Sequence, residues 1–335
     1  MKRILSVVVI LGCLFLSTAC GTRSGGDAPP VQQPVQLTSE RRLYVSAMFT
    51  DKVVVIDLDS LAIEAEQRVG ETPYGLAVDR AGNQLLAACS LSNEVWCLDL
   101  TTLETKAVIA VDRLPAYITI DEEKRRAYVG NSGSDTVSVI DLDAHREIDR
   151  IQVGKAPVNL ALLPDRRLAV TLHDEGTMAM IDLDNLEVVS RHPIAGNAVG
   201  LAFDSRQELI YTGGHGLLED NNIVRIHPLR DPDNVGQLET PLMPIYLELT
   251  PDGSKLLSLH HRINQLFVID PATGVMLGEM NAGKSPFSTA IWDDGRMAAV
   301  ANMDSNEVQI VDLEHFDTVK FIKVLEGPAC MVVLD

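Results

Sequence analysis

The chain has 335 residues, with 28 Lys and Arg against 47 Asp and Glu, a formal charge of −19 and 46% apolar residues. The apolar content is sufficient for a large core and excludes a disordered or fibrous protein, while the acidity argues against a nucleic-acid partner because it repels phosphate backbones. Only 4% of the residues are aromatic, so few rings are available for stacking on bases or sugars.

The N-terminus has the pattern of a targeting segment. Lys2 and Arg3 precede an apolar run over residues 4–16, which ends at small residues before Cys20. The run is too short to span a bilayer of about 30 Å and is typical of a secretory signal. The small residues before the cysteine resemble a bacterial lipobox, which implies removal of residues 1–19 and lipidation of Cys20. An ordinary signal peptide cut at the same place, without lipid, is the alternative.

Residues 20–40 are predicted to form the lipidated cysteine and a flexible tether, because they are rich in Gly, Pro and Gln. Removal of the signal also removes two basic residues, so the formal charge of the mature chain becomes −21. We expect an extracytoplasmic protein attached to a membrane through the lipid on Cys20. By resemblance to sorting rules in two-membrane bacteria, Gly21 implies the outer membrane, with the protein facing the periplasm.

A repeat of about 42 residues fills the rest of the chain. Two apolar residues followed by Asp recur with the aspartates at Asp57, Asp99, Asp141, Asp182, Asp270 and Asp312. The interval between Asp182 and Asp270 is twice as long and holds one more, degenerate copy, the fifth in chain order, in which His227 takes the place of the Asp. The chain therefore has seven copies. Pro73, Pro115, Pro157, Pro286 and Pro328 each follow the Asp of their copy by 16 residues, which confirms the phase.

Each copy contains four short runs, which in the second copy cover residues 74–78, 84–89, 94–98 and 105–111. Runs of about five residues separated by Gly, Asn and Asp predict strands, and four antiparallel strands per repeat predict a propeller blade. The segment after residue 41 matches second-strand sequences, and residues 329–334 match inner-strand sequences. The sequence therefore predicts an all-β, seven-bladed β-propeller over residues 41–335, closed by pairing three N-terminal strands with one C-terminal strand.

Several phrases resemble the YVTN-type seven-bladed propeller family, the group that contains YncE-like and surface-layer-like repeat proteins. They are Asn-Ser-Gly-Ser-Asp at 131–135, Val-Ser-Val-Ile-Asp at 137–141, Val-Gly-Lys-Ala-Pro at 153–157 and Pro-Asp-Gly at 251–253. The resemblance covers the whole predicted propeller and implies its fold. It implies no catalytic set, because the repeated residues are structural. We expect Asp57 and its equivalents to accept backbone N–H bonds in the following turn.

Four histidines occur at equivalent hairpin tips of the fourth, fifth and sixth copies, at His173, His215, His260 and His261. The carboxylates at positions 174, 175, 219 and 220 are nearby in sequence. Imidazole and carboxylate groups could together hold a transition metal or a haem edge, which makes these histidines candidate metal ligands. Loop histidines bonded to backbone, or a pH-responsive binding patch, are the alternatives.

The inner strands supply a second candidate site, because their polar and aromatic residues are expected to surround the channel. The ligand-binding candidates are Tyr74, Tyr117, Asn159, Tyr246, Glu248 and Phe287. Glu248 occupies a position where the other copies have Ala, Thr or Val. A buried carboxylate is costly unless it is paired, and Arg225 in the degenerate copy is the expected structural partner. Contact with a ligand is the alternative role for Glu248.

Two functions remain open at this stage. A monomeric binding scaffold for an unidentified protein or small molecule is favoured, because the chain has regular blades and lacks phosphate-loop, haem-attachment and nucleophile-elbow motifs. The alternative is an enzyme or redox partner that uses the histidines, or a lactonase-like hydrolase, since related propellers include lactone-cleaving enzymes. Cys89 and Cys97 could form a disulfide only if their strands bring them together.

Overall fold

The computed structural model describes residues 37–216 and 221–335, and within them the chain forms seven sheets of four antiparallel strands. Blade 1 combines the last strand of the chain with the first three, and blades 2–7 are numbered in chain order. Blade 1 contains β28 (Pro328–Leu334), β1 (Arg42–Ala47), β2 (Lys52–Asp57) and β3 (Ala62–Arg68). Blade 2 contains β4 (Pro73–Asp79), β5 (Gln84–Cys89), β6 (Glu94–Asp99) and β7 (Thr105–Ala110). Blade 3 contains β8 (Pro115–Asp121), β9 (Arg126–Asn131), β10 (Thr136–Asp141) and β11 (Arg146–Gln152).

The remaining blades follow the same order from inner to outer strand. Blade 4 contains β12 (Pro157–Leu162), β13 (Arg167–Leu172), β14 (Thr177–Asp182) and β15 (Glu187–Pro193). Blade 5 contains β16 (Ala198–Asp204), β17 (Leu209–Gly214), β18 (Ile223–Pro228) and β19 (Gly236–Glu239). Blade 6 contains β20 (Pro244–Leu249), β21 (Leu256–His260), β22 (Gln265–Ile269) and β23 (Met276–Asn281). Blade 7 contains β24 (Pro286–Trp292), a 3₁₀ turn (Asp293–Gly295), β25 (Met297–Asn302), β26 (Glu307–Asp312) and β27 (Asp317–Lys323).

The inner strands β4, β8, β12, β16, β20, β24 and β28 contact one another in sequence and form a closed ring. The ring closes where β28 pairs with β1, with Arg42 opposite Leu334 and Val45 opposite Met331. The predicted seven-bladed propeller and its three-plus-one closure are therefore confirmed. Pairing the two ends of the domain in one sheet gives blade 1 its fourth strand and closes the ring.

Apolar side chains pack between neighbouring blades and hold the ring together. One buried cluster joins Val45 and Val54 of blade 1 to Ala301 and Ile310 of blade 7. Another joins blades 2 and 3. Val, Ile, Leu and Ala fill these spaces because β-branched and small side chains fit the face of a pleated sheet, which explains the low aromatic content.

The repeated aspartates stabilise the turns between the third and outer strands, as expected. Asp141, for example, accepts hydrogen bonds from the backbone N–H groups of Asp143 at 3.0 Å and Ala144 at 2.8 Å. These bonds favour the ionised carboxylate and lower the pKa of Asp141 below its ordinary value. Corresponding bonds are made by Asp57, Asp99, Asp182, Asp270 and Asp312.

A second repeated contact, which the sequence analysis missed, links the hairpin tip to the next blade in five of the seven blades. Asn93 Oδ1 accepts a hydrogen bond from the backbone N–H of Leu114 at 3.0 Å, and Leu114 has a left-handed φ of 54°. The same contact is made by Asp51, Asp135, Asn264 and Asn306 to the residue that precedes the next inner strand. Gly176 takes this tip position in blade 4 and has no side chain to make the bond.

The described residues begin inside the predicted tether. Leu37 is buried and its N–H bonds the carbonyl of Thr101 at 3.0 Å, while Ser39 Oγ bonds Asp57 Oδ1 at 3.0 Å. Residues 37–40 therefore contact the propeller. The predicted signal peptide, Cys20 and most of the tether lie outside the described residues. No helix within residues 37–216 and 221–335 is long and apolar enough to cross a membrane.

Candidate functional site

A cavity of about 320 Å³ lies at the centre of the ring. It is lined by residues from six of the seven inner strands. Most of the lining is apolar, and the polar side chains are Tyr117, Asn159, Tyr246, Glu248 and Cys330. Four of the six predicted ligand-binding residues are therefore at this cavity. An apolar pocket with a few convergent polar groups is the usual form of a small-molecule site.

The other two predicted residues support the wall of the cavity. The ring of Tyr74 packs edge-on against Tyr117 at a centroid distance of 5.3 Å and against Phe287 at 5.5 Å. All three side chains are buried. Edge-to-face contacts between rings fix their orientation, so Tyr74 and Phe287 hold the phenol ring of Tyr117 in place.

The Tyr117 hydroxyl group is buried at the cavity and makes no hydrogen bond of normal geometry within the part of the chain that the structure describes. It interacts with the Tyr74 phenol electrostatically and through a side-chain hydrogen-bond contact whose geometry is poor. Burial raises the pKa of Tyr117 and of Tyr246 well above the ordinary value, so both phenols stay neutral. The Tyr117 hydroxyl can therefore donate to or accept from a molecule in the cavity.

Asn159 is bonded within the ring. Its Nδ2 donates to the carbonyl of Val199 at 3.1 Å on the next inner strand, and its Oδ1 accepts from the N–H of Leu160 at 2.9 Å. The amide lines the cavity but already holds β12 against β16. Its contribution to the site is to shape the wall.

Among the described residues, Glu248 is the only charged one that lines the cavity. Its Oε2 accepts a hydrogen bond from the Thr289 hydroxyl of β24, and the backbone N–H of Ile291 also favours the ionised form. Burial outweighs both contacts and raises the pKa of Glu248 to about 7. The side chain is only half-buried by surface area because it faces the cavity.

The expected pairing of Glu248 with Arg225 is wrong. Glu248 is on β20, the inner strand of blade 6, whereas Arg225 is on β18, the third strand of blade 5. Strands in a sheet are about 4.8 Å apart, so a third strand is about 10 Å outward from the inner edge. No basic residue lines the cavity within the described chain. The carboxylate is therefore without a cationic partner there.

The four candidate histidines have different environments. His215 is buried, and the proximity of His173 and His261 adds to the burial that lowers its pKa to about 4. His173 and His261 therefore each lie near His215. His173 Nδ1 is bonded to Asp174 Oδ1 at 2.7 Å.

His260 differs from the prediction because it is fully buried inside blade 6. Its Nε2 is bonded to Ser258 Oγ at 2.9 Å and its Nδ1 to the Leu242 carbonyl at 3.1 Å. Both ring nitrogens are occupied, so His260 acts as a structural residue. Glu175 is also bonded locally, to the Lys155 N–H at 2.7 Å.

Across residues 37–216 and 221–335, no group of three or more His, Cys, Asp or Glu residues is arranged to hold a metal ion. The carboxylates at positions 219 and 220 lie outside the described residues. The three cysteines of the described chain are free and buried. Cys89 is opposite Glu94 and Cys97 is opposite Leu86 in the same strand pair, so the strands do not bring the two thiols together.

Comparison with solved structures shows the same fold in proteins of low sequence identity. The hydrazine synthase of Kuenenia stuttgartiensis has a TM-score of 0.76 at 19% identity, and the match covers 90% of this chain and 100% of that one. A functionally unknown protein from Desulfotomaculum acetoxidans has a TM-score of 0.74 at 12% identity, with 87% and 98% covered. Apo AztD from Citrobacter koseri has a TM-score of 0.61 at 13% identity, with 88% and 97% covered.

No curated protein matches the sequence of the chain. The sequence profile of the YNCE-like beta-propeller family matches residues 31–215, which is more than half of the chain. The matched region includes blades 2–4, three strands of blade 1 and the first two strands of blade 5. The chain belongs to the YncE-like β-propeller family.

Proposed function

We propose that this propeller is a binding scaffold that takes a small organic molecule into its central cavity and is attached outside the cytoplasm through a lipid on Cys20. The observation that carries the proposal is the cavity, which contains one unpaired carboxylate and one buried phenol hydroxyl without a normal hydrogen bond. Buried polar groups are normally satisfied, and leaving them without partners costs free energy. A bound molecule would supply the missing partners.

Filling the cavity tests this role. Ala202 lines the cavity, so Ala202→Leu would occupy part of its volume. Ala144 is exposed on the turn after β10, which makes Ala144→Leu a matched control. We expect a metabolite library to yield ligands that raise the Tm of the full chain, and the Ala144→Leu variant to keep them. The Ala202→Leu variant should lose them.

Two results would overturn the cavity as a ligand site. One is a library without any stabilising ligand, and the other is equal binding by the native chain and a folded Ala202→Leu variant. Circular dichroism establishes whether that variant is folded. If it is not, the smaller Ala202→Val change replaces it in the same comparison.

The membrane anchor is supported by the sequence of the first twenty residues. We expect the protein made in its bacterial host to partition into the detergent phase of a Triton X-114 extraction and to carry radiolabelled palmitate. The Cys20→Ala variant should carry no label. A native protein that remains in the aqueous phase without label would contradict lipidation, while leaving the cavity experiment unaffected.

A second candidate function is hydrolysis of a lactone, and one observation favours it. A carboxyl group with a pKa of about 7 is suited to general-base catalysis at neutral pH. In this case the full chain should hydrolyse members of a lactone panel, and Glu248→Gln should reduce kcat at least about a hundredfold. Hydrolysis at the same rate by the variant would exclude Glu248 as the base.

A further inference from the structure

Within the part of the chain that the structure describes, the carboxylate of Glu248 is the one charge at the cavity, and no cation pairs with it. Its protein contacts are the Thr289 hydroxyl group and the Ile291 N–H, both uncharged. A buried carboxylate is normally paired with a cation or shifted toward its neutral form. The counter-charge that would stabilise the ionised form must therefore enter with the ligand.

Two aromatic residues line the same space. Tyr117 and Tyr246 occupy equivalent positions of β8 and β20, two residues before the row that contains Glu248. A spacing of two residues along a strand is about 6.6 Å. Phenol rings attract cations through the negative charge of their faces, and the attraction increases when water is excluded. An ammonium group near Glu248 could thus have its carbon skeleton beside these rings.

The charge of the whole chain favours the same class of ligand. The formal charge is −19, so the long-range field attracts cations and repels anions. An anionic ligand would also meet Glu248 directly, and like charges placed together discriminate strongly against the wrong partner. The cavity volume of about 320 Å³ is at the lower end of the range for ligand pockets, which limits the ligand to a small molecule.

We infer that the ligand of the central cavity is a small organic cation, with an ammonium group held by the ionised Glu248 carboxylate and an apolar portion packed against Tyr117 and Tyr246. This inference rests on the proposed function and specifies the chemical class of its ligand. Glu248 acts as the charge partner. The tyrosine rings provide the apolar wall, and the Tyr117 hydroxyl, which makes no hydrogen bond of normal geometry, is available to the ligand.

Three probes of nearly the same shape test the inference. Benzylamine is a cation, benzyl alcohol is neutral and benzoate is an anion, and each has one phenyl ring. Binding is measured by isothermal titration calorimetry on the full chain at pH 8, where Glu248 is mostly ionised. We expect benzylamine to bind at least about tenfold more tightly than benzyl alcohol, and benzoate to bind most weakly.

The Glu248→Gln variant should reduce the advantage of the amine over the alcohol to less than about threefold, because the amide keeps the shape and removes the charge. Glu122 is exposed on the turn after β8, so Glu122→Gln is the matched control and should keep the advantage. Tyr246→Leu should weaken benzylamine more than benzyl alcohol, since it removes an aromatic face while keeping an apolar wall.

Amine binding should also depend on pH. Protonation of Glu248 removes the charge partner, so the affinity of benzylamine should fall at least about tenfold from pH 8 to pH 5. Tyr246 on the same strand and Cys330 on β28 also interact electrostatically with Glu248, and burial keeps both neutral over this range.

Three other titratable groups lie on the strands that pack against β20. They are His260 on β21, Tyr211 on β17 and Asp204 at the end of β16. His260 is bonded to Ser258 and to the Leu242 carbonyl, and Asp204 is bonded within its own turn. The Glu248→Gln variant should therefore lose the pH dependence of the amine.

The outcomes separate this inference from the proposed function. Equal binding of the amine and the alcohol, with both lost in Ala202→Leu, would overturn the cation and leave the cavity as a site for neutral molecules. An amine advantage that persists in Glu248→Gln would also overturn it. If none of the probes binds the native chain, the inference fails, and the metabolite library then decides separately whether the cavity binds anything.

Discussion

Replacing Glu248 by Gln should stabilise the unliganded protein at alkaline pH. The amide retains an oxygen that can accept the hydrogen bond from Thr289, and it carries no charge into the cavity. In the native chain the carboxyl has a pKa of about 7, against an ordinary value of 4.5. The folded state therefore holds a proton between these two pH values that the unfolded state has lost. Because the folded state binds more protons in this window, the stability of the native chain falls as the pH rises from 4.5 to 7.

The size of the stability difference follows from the shift in the pKa of Glu248. Each pKa unit corresponds to about 1.4 kcal/mol, and partial exposure of the side chain reduces the full value to about 2–3 kcal/mol. Above pH 7, Glu248→Gln should exceed the native chain in free energy of unfolding by this amount. Below pH 4.5 the carboxyl is protonated in both states, so the difference should be within about 0.5 kcal/mol.

Urea unfolding of both proteins from pH 4 to pH 9 measures the difference directly. Histidine titrations occur in both chains and cancel, and the exposed Glu122→Gln control should remain within about 0.5 kcal/mol of native throughout. A difference that does not change between pH 4.5 and pH 7, or a variant that is less stable than native at pH 8, would refute the assignment of Glu248 as an uncompensated carboxyl.

Three further changes test the fold and its response to acid, each by urea unfolding. Asn93→Ala removes the acceptor for the Leu114 N–H and should lower the free energy of unfolding by about 1–2 kcal/mol. Asn93→Asp keeps an acceptor oxygen and should retain most of this stability. Equal losses in the two variants would contradict the contact. Gly75→Ala places a Cβ 2.2 Å from the Ala116 carbonyl oxygen and should cost about 1–3 kcal/mol, and a neutral effect would show that the inner strands are farther apart. The pKa of His215 is lowered to about 4, so between pH 6.5 and pH 4 the unfolded state binds a proton that the folded state does not, and stability falls with the pH. His215→Gln removes this group and should recover about 3 kcal/mol of the stability lost in that range. An unchanged acid response of that variant would assign the loss to other groups.

The sequence predicted the blades and their closure because the same turn chemistry occurs in every copy. An Asp that accepts two backbone N–H bonds needs a fixed spacing from its strand, and that spacing appears as the period. The bond from Asn93 to Leu114 is equally regular, but it joins one copy to the next. Periodicity shows which residues of the different copies are equivalent, but it does not show which residues of neighbouring copies are in contact. The recurrence of Asp or Asn at the tip therefore does not predict this bond.

The same limit explains the errors at the candidate site. Glu248 was found because it departs from a row of small residues, yet its partner was assigned to Arg225 from sequence proximity. Thr289, the partner in the structure, belongs to the next blade. The sequence places His260 among the hairpin tips, but it is the last residue of β21, a strand that is buried throughout and shows no alternation of exposed and buried residues. Only the fold shows that its ring is directed into the blade.

The Glu248 carboxylate is unfavourable for the packing of the inner strands. Ring closure is favoured by small side chains, and Ala, Thr or Val occupies the Glu248 position in the other six blades. The carboxylate opposes closure at neutral and alkaline pH, since its ionisation is disfavoured by the same burial that packs the blades. Residues that lower stability without serving the fold are characteristic of functional sites. If the ligand is a cation, as we infer, the charge of Glu248 serves binding, and a bound cation would stabilise the ring by pairing with the group that destabilises the unliganded state.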